Sequence, residues 1–205
     1  MKSLLTTILL TLLLFTAGNT YAQSDSYVLL EKSTMTIEGT STIHDWEADV
    51  QEMQATIDMN ISALEADTMQ SPVNSLTLSV PVKSIESGKG GMNRKIYGAL
   101  KDEEHPNITF ELTGTELIQS NAQATNGNET SFQLMANGNL TIAGSTKEVS
   151  FPVDAYIQDG DTYQFTGSYE LNMKDYDIDP PSAVFGTIKS GEVVTILFDT
   201  YFSKE

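Results

Sequence analysis

The 205-residue chain contains no cysteine. Disulfides, thiol nucleophiles and thiolate metal sites are therefore excluded, and no cysteine is available to carry a lipid anchor. Tryptophan occurs once, at Trp46, and histidine twice, at His44 and His105, which leaves almost no material for a histidine-based zinc site. Positive charge is scarce: 11 Lys and Arg stand against 28 Asp and Glu, a formal net charge of -17. Such a surface repels phosphate backbones and anionic headgroups, which argues against nucleic-acid partners and against membrane docking through a basic patch. Long apolar runs are confined to the first residues. Lys2, the apolar run over residues 4–15 and the sequence Thr20-Tyr21-Ala22 before Gln23 have the layout of a secretory signal peptide over residues 1–22. That run is shorter than the roughly 20 residues of a membrane span. The expectation is one domain over residues 23–205, released without a stable membrane anchor into the periplasm or the medium of a bacterial cell.

What the rest of the chain does contain is a period of two. Met53, Ala55, Ile57 and Met59 alternate with polar residues, as do Leu76, Leu78 and Val80, then Ile108, Phe110 and Leu112. Phe132 to Ile142, Val149 to Ala155 and Tyr163 to Leu171 repeat the pattern, and residues 193–202 are apolar on both faces. Each run reads as a strand with one face toward a core. Turn signals such as Ala143-Gly144-Ser145 and Asp159-Gly160-Asp161 separate them at short intervals. The fold predicted is all-β: an antiparallel lipocalin-like barrel of about eight strands, a size whose interior is filled by side chains or holds one small ligand.

Two stretches break the period. Over residues 87–104, Met92, Ile96, Ala99 and Leu100 recur at helical spacing after a glycine-rich entry, which predicts one short helix at a barrel end or against its wall. Over residues 173–188, Pro180 and Pro181 preclude a central strand. Asp175, Asp177 and Asp179 alternate there without the glycine and glutamate of a calcium-binding EF-hand, so a solvated loop is the reading.

Residues 39–50, GTSTIHDWEADV, pair a histidine with an acid. Neighbours on a strand point to opposite faces, so His44 and Asp45 do not form a base with its orienting acid. No G-x-S-x-G elbow, no H-E-x-x-H pair and no phosphate-binding loop around Gly88, Gly90 and Gly91 is present. No catalytic residue and no metal ligand is assigned, and no cofactor is expected beyond a bound apolar molecule. His44 and Trp46, two residues apart, are predicted to share a strand face that looks into the barrel. The apolar interior itself has two readings, a lumen for an apolar molecule or a packed core. Contact among Phe132, Phe151, Phe165 and Phe198 across the interior would favour the packed core.

Four stretches, taken in order, resemble the YceI-like proteins: residues 39–50, residues 92–112 (MNRKIYGALKDEEHPNITFEL), residues 138–153 (GNLTIAGSTKEVSFPV) and residues 165–198. His44 and Trp46 match the family's S-x-x-H-x-W segment. Leu100, Pro106 and Phe110 match its helix-to-strand segment, and Gly138, Leu140, Thr141, Gly144 and Thr146 its later hairpin. The chain departs in the helix, where Met92, Asn93 and residues 97–100 replace the commoner R-D-x-x-L-x-S, so no headgroup contact is carried over to Arg94. The resemblance implies an exported bacterial protein that binds a polyisoprenoid, a polyprenyl lipid or a quinone, in its barrel. The residues expected to contact the chain are His44, Trp46, Met92, Ile96, Leu100, Phe110, Phe132, Phe151, Phe165 and Phe198. A stress-responsive module with a packed barrel is the alternative, and a homodimer is left open.

Overall fold

The computed structural model describes residues 25–60, 72–121, 130–158, 161–183 and 187–204. The signal peptide expected over residues 1–22 lies outside the described residues, as do several turn residues, Asn126-Gly127-Asn128 and Gly160 among them. Twelve strand segments form: β1 (Asp25–Leu29), β2 (Thr34–Ser41), β3 (Trp46–Val50), β4 (Gln54–Met59), β5 (Val73–Pro81), β6 (Ile85–Glu86), β7 (Asn107–Asn121), β8 (Thr130–Ile142), β9 (Ser145–Ile157), β10 (Thr162–Asn172), β11 (Ser182–Ala183) and β12 (Ile188–Lys204). Among the described residues one α-helix, α1 (Gly90–Ala99), lies between β6 and β7.

These segments make eight barrel staves. β1 and β2 pair with successive parts of β12, while β4 pairs with β1 and β3 with β2. β5 and β6 follow the same path against β4 and β3, interrupted by a 3-10 turn at Val82–Ser84. β7, β8, β9, β10 and β12 complete the meander, each antiparallel to its neighbour, and the β1–β12 ladder closes the ring. Closure removes the free edges that an open sheet of this size would present.

Local chemistry explains the tight corners. The β8–β9 hairpin turns on two residues, Ala143 (φ 50) and Gly144 (φ 84), the positive-φ pair that a type I′ turn demands. α1 is anchored through its first turns: the buried Asn93 side chain accepts from Ser87 N at 2.9 Å and Ser87 Oγ at 2.6 Å and donates to Glu86. Tyr97 Oη donates to Glu86 Oε1 at 2.9 Å and reaches the Lys83 carbonyl at 3.1 Å. The helix ends where Lys101 takes φ 55, earlier than the span 87–104 predicted from spacing.

The connections sort to two ends. Turn 42–45, α1, the β8–β9 turn and residues 173–183 lie at one; Asp25, Lys204, the last residues of β4, β7 and β9 and the first residues of β5, β8 and β10 lie at the other. Among the described residues no helix is long and apolar enough to cross a membrane.

Candidate functional site

The inward faces of the staves enclose a cavity of about 230 Å³. A single water requires about 10–15 Å³ by the same measure, so this is a lumen and not an interstitial packing defect. Its wall is almost wholly apolar, and among the described residues no charged side chain lines it. On β12, Val194, Ile196, Phe198, Thr200 and Phe202 all face it, a run of strand that rises about 26 Å. Such a space accepts an elongated apolar molecule, since burial of apolar surface is favourable and no charge has to be stripped of water.

Glycines keep the lumen open. Phe110 on β7 lies across Gly138 of β8, and a β-carbon at Gly138 would overlap the ring. Phe198 on β12 lies across Gly167 of β10, where a β-carbon would sit 2.6 Å from the ring. Trp46 on β3 lies across its paired residue Gly39 of β2 in the same way. Phe151 of β9 completes a belt, with ring centroids 5.7 Å from Phe110, 5.9 Å from Phe198 and 5.4 Å from Tyr169. Phe110, Gly138, Phe151, Gly167 and Phe198 thus alternate over five consecutive staves, and the Phe110 and Phe198 rings are each laid along the wall over a missing side chain. Contact between Phe151 and Phe198 does occur, yet it runs along the wall above Gly167. It therefore does not fill the interior, and contact among the phenylalanines alone does not separate a lumen from a packed core.

The two ends are closed differently. At the end holding Asp25 and Lys204, Tyr27 and Tyr163 meet edge to face at 5.1 Å, and Phe132, Met59 and Phe202 are buried with them. Burial, and then the neighbouring Tyr27, push the Tyr163 phenol well above its ordinary value. At the other end, α1 supplies Ile96, Ala99 and Leu100 to the lumen wall and residues 173–183 supply Met173, Ile178 and Pro181. The hydrogen bond described between these two caps runs from Lys95 Nζ to the Ser182 carbonyl.

Of the residues expected to contact a chain, Trp46, Ile96, Leu100, Phe110, Phe151, Phe165 and Phe198 line the lumen. Trp46 is turned inward and its Nε1 donates to the Thr40 carbonyl at 3.0 Å and Ser190 Oγ at 3.1 Å. Three do not line it. His44 is exposed in the turn before β3, with Nδ1 2.7 Å from the Asp45 carbonyl. The shared-face expectation fails there because β3 begins only at Trp46, and alternation does not extend into a turn. Phe132 is packed into the aromatic end, and Met92 lies on the outer part of α1 against the cluster around Ile85. Spacing within the sequence overlooked Gly39, Gly138 and Gly167 as site residues; glycine on an inward strand position was the available signal. It also overlooked Tyr169 and Tyr176. Tyr169 lines the lumen, and the hydroxyl of Tyr176, only 2% exposed, has no hydrogen-bond partner among the described residues. No group of three His, Asp or Glu side chains among the described residues is placed to hold a metal ion.

A closed eight-stranded meander around an apolar lumen defines the class of lipocalin-like barrels. Within that class the chain belongs to the YceI-like family, whose domain profile matches residues 26–202. No curated protein matches the chain. Its fold is similar to that of BcnA from Burkholderia cenocepacia, with TM-score 0.61, 19% identity, and coverage of 83% of this chain and 96% of that one. It is likewise similar to a polyisoprenoid binding domain from Saccharophagus degradans, with TM-score 0.65, 10% identity, and coverage of 89% and 100%. The YceI protein of Campylobacter jejuni matches with TM-score 0.58, 14% identity, and coverage of 77% and 84%.

Proposed function

We propose that the protein is a non-enzymatic carrier that holds one long isoprenoid chain, a polyprenyl lipid or a quinone, inside its barrel. The observation that carries this reading is the continuous apolar lumen kept open by the belt of rings over glycines. Membership of the YceI-like family supports it, as does the likeness to a domain described as polyisoprenoid-binding. A branched, flexible prenyl chain suits a lumen walled by aromatic rings and aliphatic side chains. Each buried methylene contributes about 0.8 kcal/mol, so several units outweigh the ordering of the chain without any charged contact. The ligand enters at the end closed by α1 and residues 173–183, where two caps meet along a seam. A signal peptide over residues 1–22 and the absence of cysteine fit a bacterial periplasmic or secreted carrier for transport or storage.

Organic extraction of protein purified without detergent, followed by mass spectrometry, tests the reading. One isoprenoid per chain is expected. Stoichiometric absence of any lipid, in protein that also fails to take one up from vesicles, would leave the packed module as the better account.

A further inference from the structure

We infer that the lumen has one polar subsite, made by Tyr169 and Tyr176 at the helix end, and that it selects an isoprenoid with a neutral oxygen headgroup, a hydroxyl or a quinone carbonyl. This rests on the reading of the lumen as a chain-binding site. The other donors that line the lumen among the described residues are engaged: Trp46 Nε1 with Thr40 and Ser190, Thr200 Oγ1 with the Phe165 carbonyl at 3.1 Å, and Thr115 Oγ1 with the Val73 carbonyl at 3.4 Å. Tyr176 is different, a buried hydroxyl left without a partner among the described residues. A phenol buried in that way loses its water and gains nothing in return. Tyr169, whose ring lines the lumen beside Phe151, packs against the cluster that holds Tyr176. Burial pushes both phenols up, that of Tyr176 further still by its proximity to Tyr169, so both are protonated donors at any physiological pH. With a ligand bound, a small rotation lets Tyr176 donate to Tyr169 while the Tyr169 O–H donates to an oxygen acceptor in the lumen, and the buried hydroxyl gains the partner it otherwise lacks among the described residues. The order along the barrel is then fixed, with the headgroup at Tyr169 and the prenyl chain running past the belt toward Phe165 and Phe202.

A diphosphate headgroup is disfavoured on the same observations. Among the described residues no cation lines the lumen, and desolvating an unpaired anion there is prohibitive. At the mouth, Lys83 is paired with Asp102 at 3.5 Å, Lys174 with Asp179 at 2.6 Å, and Lys95 with the Ser182 carbonyl.

Titrations of the full chain followed by Trp46 fluorescence test this with three probes of one chain length: geranylgeraniol, geranylgeranyl diphosphate and the hydrocarbon phytane. The alcohol is expected to bind about tenfold more tightly than the diphosphate, a difference of about 1.4 kcal/mol. Tyr176→Phe and Tyr169→Phe are each expected to weaken the alcohol about 2- to 10-fold and to leave phytane unchanged. Tyr176→Phe removes an unpartnered buried hydroxyl, so the fold tolerates it, and Tyr169→Phe gives an independent reading. Equal loss for alcohol and phytane, unchanged alcohol affinity in both variants, or a diphosphate that binds as tightly as the alcohol would each overturn the subsite while leaving the lumen reading intact. Failure of the unaltered protein to bind alcohol and phytane alike would overturn the lumen reading as well.

Discussion

The two ends of this barrel are closed by different physics. One is plugged by interdigitated rings, Tyr27 on Tyr163 and Phe165 on Phe202 at 5.9 Å, whose side chains come from the staves themselves. The other is covered by two added elements, α1 and residues 173–183, which are firmly tied to their own staves and joined to each other through Lys95 and Ser182. A plug made of staves opens only when the barrel does, whereas a cap made of connections can move while every ladder stays paired. On the proposed function, the difference assigns the two ends separate tasks: the aromatic end sets the depth of the lumen and the helix end sets the exchange.

The largest effect is expected at the aromatic plug. Phe132→Ala removes a fully buried ring and should lower stability by about 3–5 kcal/mol, read from urea unfolding, without speeding release of a bound prenyl probe in proportion. Release as fast as that of a helix-end variant, with the fold intact, would erase the distinction between the ends. Gly167→Ala comes next. Its methyl group would drive the Phe198 ring off the wall and into the lumen, at a cost of about 1–3 kcal/mol and a loss of probe affinity that outweighs the change in melting temperature.

At the helix end, a bridge made by Lys95→Cys with Ser182→Cys is clean, because the chain has no other cysteine. Oxidation should slow probe exchange at least about tenfold, and reduction should restore it, if the seam is the gate. Tyr97→Phe deletes the hydroxyl that reaches Glu86 and the Lys83 carbonyl, and should cost about 0.5–1.5 kcal/mol while hastening exchange. The smallest effect belongs to the exposed Lys174–Asp179 pair. Lys174 holds the Asp179 carboxyl below its ordinary value, so whatever stability the pair contributes is present above the usual aspartate range and lost as pH falls through it. Asp179→Asn should leave both melting temperature and exchange unchanged at neutral pH, since salt-screened surface pairs contribute little.

The barrel was legible because period two survives along each stave, and the position of α1 was legible because Met92, Ile96, Ala99 and Leu100 recur at helical spacing. Trp46 facing inward followed from the alternation of Trp46, Ala48 and Val50. His44 was misplaced because alternation says nothing about where a strand begins, and the stave starts one residue after Asp45. Phe132 and Phe151 look alike in sequence, both on inward strand positions. Their different tasks, plug and wall, depend on how far along the barrel each lies, which register alone decides. The belt was hidden for a similar reason: Gly138 and Gly167 precede or follow their rings by many residues in sequence and meet them only across a ladder. Tyr176 could not be read at all, because an unpartnered hydroxyl is a property of the packed interior.

The central claim is that an isoprenoid chain occupies the lumen with a neutral headgroup at the helix end. An electron-density map of protein purified without detergent addresses it most directly. The account predicts one continuous elongated feature running beside Phe151 and Phe198, its polar end within hydrogen-bond distance of Tyr169 Oη. A lumen closed by rings swung inward from Gly138 and Gly167, or a chain lying with its headgroup against Tyr27 and Tyr163, would contradict it.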